Sequence, residues 1–417
     1  MTSLRLKLHR QTRATLAIAV VTIGALFLMM AGTNIYAQAV RPEVGKPLQA
    51  ANELMRANKF KEALAKIHEA ENAPNRTAQE NYLIDSSRGS AAAGARDVPT
   101  AIRSFEAVVA SGKAPPATQL KMIESLASMH YSNRDYSAAI QWAQRYARDG
   151  GGNGGQIRTL LIQAYFQSGD FANTAKESLA DIQADQKAGR TPAEEKLQLL
   201  ANAYLRQKNT GGYIATIEKL LNYYPKKSLW ADIVSRLQAK PGFADRLSLD
   251  VYRLRLATGN LIATNDFMEM SQLALQAGFP GEAKKIVDDG YAAGALGKGT
   301  EVGRHKRLRD LIEARVKENG KALAAGSKEE AEAQRNSDAM FTMAYNRFTS
   351  GQVDAGIRAM EDAIKKGDLK RPEDAKLHLG VALIQANQKA KGVQILKAVK
   401  GEDGVSDMAN LWTIYSR

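Results

Sequence analysis

The stretch LLANAYLRQKNTGGYIATIEKLLNYYP, residues 199–225, decides the fold of this chain. Small residues lie at Ala201 and Ala203, and a polar turn with two glycines separates them from a second apolar pattern that ends at Pro225. Apolar residues spaced three and four apart on both sides of the turn predict two amphipathic helices. Because small residues at the contact let two helices approach closely, the stretch predicts an antiparallel helical hairpin.

The same arrangement recurs along the chain at intervals of about 35–40 residues, or about twice that distance. The equivalent position in the second helix of each unit is occupied by Ala63, Ala101, Ala139, Thr174, Tyr213, Ala283, Gly356 and Gly392. A fixed period in this range indicates a solenoid, in which each hairpin buries its apolar face against its neighbours. No alternating strand pattern extends along the sequence. We therefore predict an all-α fold.

The hairpins resemble the tetratricopeptide repeat. The shared pattern is a small residue (Ala201), an aromatic residue three positions later (Tyr204), a turn, a second helix and a closing proline (Pro225). The resemblance begins near Leu48 and implies a right-handed superhelical solenoid of about nine or ten hairpins, some of them degenerate.

The sequence divides into segments with different patterns. Residues 1–39 are a predicted signal peptide, 40–47 an extended lead-in with two prolines, and 48–297 the first run of repeats. Residues 298–336 lose the repeat pattern and are predicted to be an irregular charged helical segment, an insertion or a boundary between two halves. Residues 337–417 return to the repeat and end in a predicted capping helix.

The N-terminal segment has the three parts of a secretory signal peptide. A basic start is followed by an apolar run over residues 14–31, and Ala37 and Ala39 stand at the positions that a signal peptidase requires before a cut at Val40. An uncleaved anchor is the alternative, because eighteen apolar residues just span a bilayer. Both interpretations place the rest of the chain outside the cytoplasm, and we expect it in the periplasm of a Gram-negative bacterium.

Composition and motifs favour binding over catalysis. The chain has no cysteine and five histidines, none of which pairs with another at the spacing of metal ligands. Removal of the basic start would lower the formal net charge from +14 to +10, since the signal peptide carries four cations and no acid. We predict no catalytic residue, no metal, no cofactor and no nucleic-acid partner. Weak contact with an anionic membrane surface is a further expectation.

The densest basic cluster, residues 303–309, has two interpretations. It is either a contact for an anionic lipid, glycan or acidic segment, or a solvated helix face balanced by neighbouring acids such as Asp310 and Glu313.

The resemblance also implies a partner-binding surface. In the repeat family the first helix of each hairpin lines the concave face, and Tyr131, Phe166 and Leu205 would form an apolar stripe there in successive units. We expect this groove to bind an extended peptide or a subunit of an envelope complex. The inward positions carried over to this sequence are Glu124, Ser128, Tyr131, Thr159, Gln163, Phe166, Gln198, Asn202, Leu205, Arg206, Phe341, Tyr345 and Phe348.

At the level of the whole chain, the sequence is similar to periplasmic repeat proteins associated with TonB–ExbB–ExbD energy-transducing systems. The similarity rests on the Ala-Gln-Ala end of the signal, on Lys46-Pro47-Leu48 and on residues 223–230. It implies a non-enzymatic scaffold with a role in outer-membrane uptake. Two alternatives remain, a scaffold for cell-wall or exopolysaccharide assembly and an accessory subunit of an envelope enzyme.

Overall fold

The computed structural model describes residues 40–152, 154–324 and 327–417. Throughout these ranges every regular element is a helix, and consecutive helices pair as hairpins that stack on their neighbours. The prediction of an all-α fold built from stacked helical hairpins is therefore confirmed. The predicted signal peptide and its cleavage positions Ala37 and Ala39 lie outside the described residues.

The chain forms two compact units, divided between Ala184 and Asp185. The helices of unit 1 are α1 Pro42–Arg56, α2 Phe60–Glu71, α3 Ala78–Gly94, α4 Val98–Ser111, α5 Pro116–Ser132, α6 Tyr136–Tyr146, α7 Gly155–Ser168 and α8 Phe171–Lys187, whose last turn belongs to unit 2. A π-helical turn, Ala147–Gly151, extends α6.

Close helix contacts at small residues hold the hairpins of unit 1 together. A Cβ added at Gly89 of α3 would lie 2.6 Å from the Phe105 ring of α4, and Ala101 and Ala139 are completely buried. The first helices of neighbouring hairpins also contact each other, α1 with α3 and α5 with α7. The first helices of unit 1 therefore lie side by side within these two pairs.

The hairpin turns repeat one local arrangement, a residue with a positive φ followed by an aspartate that caps the next helix. Arg96 and Arg134 adopt positive φ angles of 63° and 65°, and each precedes an aspartate that caps the next helix. The Asp135 carboxylate accepts a hydrogen bond of 3.1 Å from the Ala138 backbone N–H. An aspartate in this place satisfies a helix N-terminal donor that would otherwise lack a partner.

The structure corrects the prediction that residues 40–47 are extended. Helix α1 begins at Pro42, a first-turn position where proline loses no helical hydrogen bond, and it continues through Pro47. Val44, Leu48 and Ala51 lie on one face of α1 and are completely buried. Burial of that face outweighs the hydrogen bond that Pro47 removes.

Unit 2 has more helices and one long-range closure. Its helices are α9 Glu194–Arg206, α10 Thr210–Tyr223, α11 Lys227–Gln238, α12 Ser248–Ala257, α13 Thr264–Gln276, α14 Pro280–Ala292, α15 Val302–Ala322, α16 Lys328–Ala333, α17 Ser337–Thr349, α18 Val353–Lys366, α19 Pro372–Gln385, α20 Lys389–Lys397 and α21 Val405–Tyr415.

The last helix of unit 2 packs back onto much earlier ones. Helix α21 contacts α10 and α12, and the Ala244 backbone N–H donates a 2.9 Å hydrogen bond to the Asp403 carbonyl oxygen. Arg246 binds the carboxylates of both Asp374 and Asp403, at 2.8 and 2.6 Å. Trp412 of α21 is 1% exposed. The capping helix predicted for this end therefore closes unit 2 on itself.

The segment 298–336 lies inside unit 2 and is no boundary between halves. Helix α15 is anchored by buried His305, Leu308 and Ile312, and the latter two belong to the same apolar core as α14 and α17. The sequence suggested a boundary because this helix is charged on most sides, yet one apolar stripe is enough to dock it.

Candidate functional site

Two neighbouring first helices of unit 1, α5 and α7, carry the face with the most predicted partner-binding residues. On α5, Glu124 and Ser128 are half-buried; on the adjacent α7, Thr159 is exposed, and Gln163 and Phe166 are half-buried. The two helices contact each other directly. We call these five residues the polar face of unit 1. All of them retain surface that a partner could reach.

The hydroxyl groups of the polar face have a fixed hydrogen-bonding role. Ser128 Oγ lies 3.1 Å from the Glu124 carbonyl oxygen, and Thr159 Oγ1 lies 3.4 Å from the Gly155 carbonyl oxygen. A carbonyl oxygen can only accept, so each hydroxyl donates its single proton into its own helix. The hydroxyl oxygens and the Glu124 carboxylate are left as acceptors toward solvent. The face therefore suits a ligand that offers N–H groups, as an extended peptide does.

Tyr131 does not line this face as predicted. It is 8% exposed, and its ring packs edge-on against Tyr136 at a centroid distance of 5.5 Å. Ala139 and Ala164 complete the apolar cluster around it. Burial raises the pKa of Tyr131 to about 12. The ring fills the space between two hairpins because the small alanines leave room for it.

In unit 2 the corresponding predicted residues lie on α9. Gln198 and Asn202 are half-buried, Leu205 is 37% exposed and Arg206 is exposed. Gln198 Nε2 donates to Glu194 Oε1 at 2.6 Å, and Asn202 Nδ2 donates to the Gln198 carbonyl oxygen at 2.9 Å. Within unit 2 they form a second accessible set.

The aromatic residues of α17 are core residues, contrary to the prediction. Phe341, Tyr345 and Phe348 are 7%, 3% and 8% exposed. The Phe279 and Tyr345 rings lie 4.5 Å apart between centroids. These rings are buried because α17 packs directly against α14 and against the loop that precedes α14.

A buried charged cluster beside these rings was not predicted from the sequence. Arg253 forms a two-point ion pair with Glu282, at 2.7 Å through Nε and 2.6 Å through Nη2, and Nη1 donates to Asp250 at 2.7 Å. His378 Nε2 lies 2.9 Å from Asp250 Oδ1. The guanidinium also lies over the Tyr345 ring, 5.0 Å from its centroid.

The surroundings of Asp250 in this cluster favour its ionised form. Burial alone would raise the pKa of Asp250, but the charges and hydrogen bonds of His378 and Arg253 outweigh it and lower that pKa. Burial raises the pKa of the Tyr345 phenol, so this group stays protonated. Arg253 reaches Glu282 and His378, which lie 29 and 125 residues away from it in the sequence. No local pattern could have revealed partners so distant.

The basic cluster at 303–309 is largely balanced by neighbouring acids. Arg304 pairs with Glu301, Lys306 with Asp310, and Arg309 with Asp288 and Glu313. This agrees with the interpretation of a solvated helix face.

Among the described residues, no group of three or more His, Asp or Glu side chains is arranged to hold a metal ion. In the same part of the chain, no helix combines the length and the apolar character needed to cross a membrane.

Comparison with known proteins supports the repeat. A family model described as tetratricopeptide repeat matches residues 86–154 and 341–405. The first match covers α4 to α6 with most of α3, and includes part of the polar face of unit 1. No curated protein sequence matches the chain.

Two solved structures match the chain at low identity and with low TM-scores. The apo form of RapI is 12% identical, with 87% of this chain and 99% of that chain covered and a TM-score of 0.35. Yeast Tom70 is 10% identical, with 89% and 95% covered and a TM-score of 0.25.

Proposed function

We propose that this chain is a non-enzymatic scaffold whose polar face of unit 1 binds an extended segment of a partner protein. The observation that carries the proposal is the accessible face on α5 and α7, within or next to the region that matches the tetratricopeptide repeat. Stacked helical hairpins create long surfaces of this kind, and a polar face with one aromatic anchor, Phe166, suits an extended peptide.

The proposed setting is the periplasm of a Gram-negative bacterium, within an envelope complex. The N-terminal sequence pattern supports export, and the whole-chain similarity to repeat proteins of TonB–ExbB–ExbD systems supports a role in outer-membrane uptake. Scaffolding of cell-wall or exopolysaccharide assembly is the alternative process, and an accessory role to an envelope enzyme is the third. The identity of co-purifying proteins separates them: energy-transduction subunits support the first, glycan synthases the second and a partner with its own active site the third.

The binding proposal is tested with purified chain and a displayed library of short random peptides. Selected peptides are labelled, and their affinities are measured by fluorescence anisotropy for the chain and for the double variant Gln163→Ala, Phe166→Ala. Loss of an aromatic anchor and its polar neighbour should weaken binding at least about tenfold. The matched control is Lys176→Ala on the exposed side of α8, which should bind normally.

The opposite pattern would point elsewhere. If the double variant keeps its affinity while Arg304→Ala, Arg307→Ala loses it, the interaction is electrostatic and the polar face of unit 1 is not the site. Circular dichroism of every variant checks that helical content is unchanged.

Location is tested independently in the native bacterium. Release by osmotic shock of a chain that begins at Val40 is the expected result. A membrane-bound chain that begins at Met1 or Thr2 would replace secretion with anchoring.

A further inference from the structure

Three connections between helices of unit 2 lie next to one another and form an edge that the scaffold function does not use. We call this surface the turn edge of unit 2, and it consists of residues 223–228, 258–264 and 293–304. The Asn260 side chain donates a 3.2 Å hydrogen bond to the Lys227 carbonyl oxygen, which joins the first segment to the second. The Thr264 hydroxyl donates a 2.7 Å hydrogen bond to the Ala295 carbonyl oxygen, which joins the second segment to the third.

Each of the three segments presents one exposed apolar side chain. The exposed fractions are 38% for Tyr223, 70% for Ile262 and 41% for Val302. Ile262 is the most exposed large apolar residue in the described part of the chain, although Leu261 beside it is only 6% exposed. Burial of such side chains is favourable because it removes apolar surface from water. The turn edge therefore offers three separate apolar contacts.

The same three segments are basic. They contain four cations, Lys226, Lys227, Lys298 and Arg304, and one acid, Glu301. Arg304 pairs with Glu301, and Lys226 pairs with an acid of α9. Neither Lys227 nor Lys298 has an ion-pair partner among the described residues, and both are exposed. Positive charge therefore stays uncompensated beside the exposed apolar side chains.

The cationic excess of the chain is also concentrated in unit 2. This unit has 37 Lys and Arg against 29 Asp and Glu, whereas residues 40–184 have 17 against 15. A body with net positive charge is attracted to an anionic surface, and salt weakens this attraction. The field of the whole unit therefore acts in the same direction as the charge at its turn edge.

We propose that the turn edge of unit 2 binds the surface of an anionic lipid bilayer. Lys227 and Lys298 lie near lipid phosphates, while Ile262 enters the headgroup region together with Tyr223 and Val302. This assigns a place on the molecule to the membrane contact that the sequence leads us to expect. It does not involve the polar face of unit 1.

The arrangement of the side chains favours a bilayer over a protein partner. The apolar residues are single side chains on three separate connections, whereas the centre of a protein interface is a contiguous, closely packed patch. The soft interface of a bilayer accommodates separate side chains, and tyrosine is enriched at such interfaces. Lysine is a hydrated point charge, which suits diffuse attraction to a charged surface better than fixed two-point pairing.

Sedimentation with lipid vesicles tests the proposal. The protein is residues 40–417, which contain every described helix of both units and leave out the apolar run 14–31, because that run would bind lipid by itself. The vesicles are phosphatidylcholine alone or phosphatidylcholine with roughly a third of phosphatidylglycerol. We expect binding to the anionic vesicles, at least about tenfold weaker binding to the neutral ones, and loss of binding at about 0.5 M NaCl.

A charge variant ties the binding to the turn edge. Lys227→Glu, Lys298→Glu should weaken binding to the anionic vesicles at least about tenfold. The matched control is Lys389→Glu, Lys397→Glu on α20, which makes the same change of charge at two exposed lysines away from the edge. The control should weaken binding less than about threefold, and circular dichroism checks that all variants are folded.

An apolar variant tests insertion. Ile262→Ser should weaken binding at least about fivefold, because burial of aliphatic groups contributes to interfacial affinity. Leu311→Ser, at an exposed leucine in the middle of α15, is the control and should bind normally. The double variant Gln163→Ala, Phe166→Ala should also bind vesicles normally, so that failure of this proposal and failure of the peptide-binding proposal remain distinguishable.

Four results would overturn the proposal. They are equal binding to neutral and anionic vesicles, turn-edge variants that bind as the unchanged chain does, a larger loss from the α20 pair or from Leu311→Ser than from the turn-edge variants, and self-association without lipid that Ile262→Ser abolishes. The last result, measured by analytical ultracentrifugation, would assign the turn edge to contact with a second copy of the chain.

Discussion

Glycine at two facing positions of the last hairpin sets how closely its helices approach. A Cβ at Gly392 of α20 would lie 2.8 Å from the Gly380 carbonyl oxygen of α19, and a Cβ at Gly380 would lie 2.6 Å from Leu396 Cγ. The first of these neighbours is backbone, so it cannot rotate away. The small residue that the repeat pattern requires in each hairpin has its clearest physical reason here.

Gly392→Ala should therefore destabilise the chain by about 1–3 kcal/mol, although alanine is the better helix former, because the added methyl group overpacks a backbone contact. Urea unfolding measures the effect. Gly320→Ala in α15 is the control, because nothing lies within 4 Å of its Cβ position. That variant should gain about 0.5–1 kcal/mol. Equal effects of the two substitutions would contradict the close contact.

Glu80 is the residue whose titration should be visible in stability. Its side chain is completely buried, and hydrogen bonds from Arg41 and from the Thr77 backbone lower its pKa from 4.5 to about 2. A carboxyl group with a lowered pKa in the folded state stabilises the fold at pH values above its ordinary pKa. This contribution is lost as the pH falls from about 4.5 through about 2.

We expect the urea midpoint of unfolding to fall between pH 5 and pH 2.5, and Glu80→Gln to make that fall shallower. Glutamine keeps an acceptor for the Thr77 N–H but cannot titrate. Glu62→Gln, an exposed acid on α2, serves as the control. A profile that is equally steep with and without Glu80 would show that other groups dominate.

At the scale of single elements, α21 determines the integrity of unit 2. Trp412 is almost completely buried, and its Nε1 has no acceptor among the described residues. Trp412→Ala should cost about 3–5 kcal/mol, the usual range for removal of a large buried aromatic side chain. Trp412→Phe keeps a ring and removes the unpaired N–H, so it should cost far less. Denaturant unfolding compares the two; equal losses would mean that the indole nitrogen contributes an unrecognised bond.

Helix positions were predictable because each hairpin repeats a local pattern. The turn at Lys208-Asn209 combines a positive φ with a capping side chain, and it lies within the stretch 199–225 where the sequence predicted a turn. Two predictions were wrong, one for the N-terminal helix and one for a single side chain. The prolines of α1 suggested extended chain, yet a buried face at Val44 and Leu48 kept it helical. Tyr131 was predicted to line a groove, but its ring is buried because the small side chain of Ala139 leaves space for it.

At the scale of the whole molecule, the two units should differ in how their helices open: locally in unit 1 and cooperatively in unit 2. Contacts in unit 1 run between neighbouring hairpins, as with Arg41 and Glu80, which are 39 residues apart. Unit 2 adds contacts such as that between Glu218 and Asn410, 192 residues apart. Units held by neighbour contacts open locally, whereas long-range closure makes opening cooperative.

Hydrogen exchange measured by mass spectrometry should show this difference. We expect Arg246→Ala to speed exchange together in α10, α12, α19 and α21, because it removes the ion pairs with Asp374 and Asp403. Exchange in α1 to α5 should stay unchanged. Faster exchange confined to the turn around residue 246 would show that the closure does not depend on these pairs.

The sequence could not predict the long-range closure of unit 2, and it predicted the candidate site only in part. A periodic pattern reports which residues face the adjacent repeat, so the hairpins followed from it. The positions Ser128 and Gln163 came from the resemblance to the tetratricopeptide repeat, and their role in partner binding stays a prediction. Arg253, Arg246 and their acidic partners are held together by chain segments far apart in sequence, and no spacing encodes such pairs. The aromatic residues Phe341 and Tyr345 were predicted to be accessible because a local pattern does not show that α14 packs over them.

The return of α21 onto α10 and α12 also restricts how this protein can change in length. An open stack of hairpins accepts duplication or loss of a repeat, since the ends are free to shift. In unit 2 an added hairpin would displace Asp403 from Ala244 and Trp412 from its core. We therefore expect relatives and engineered forms to vary in repeat number before residue 185, while the later part of the chain keeps a fixed count.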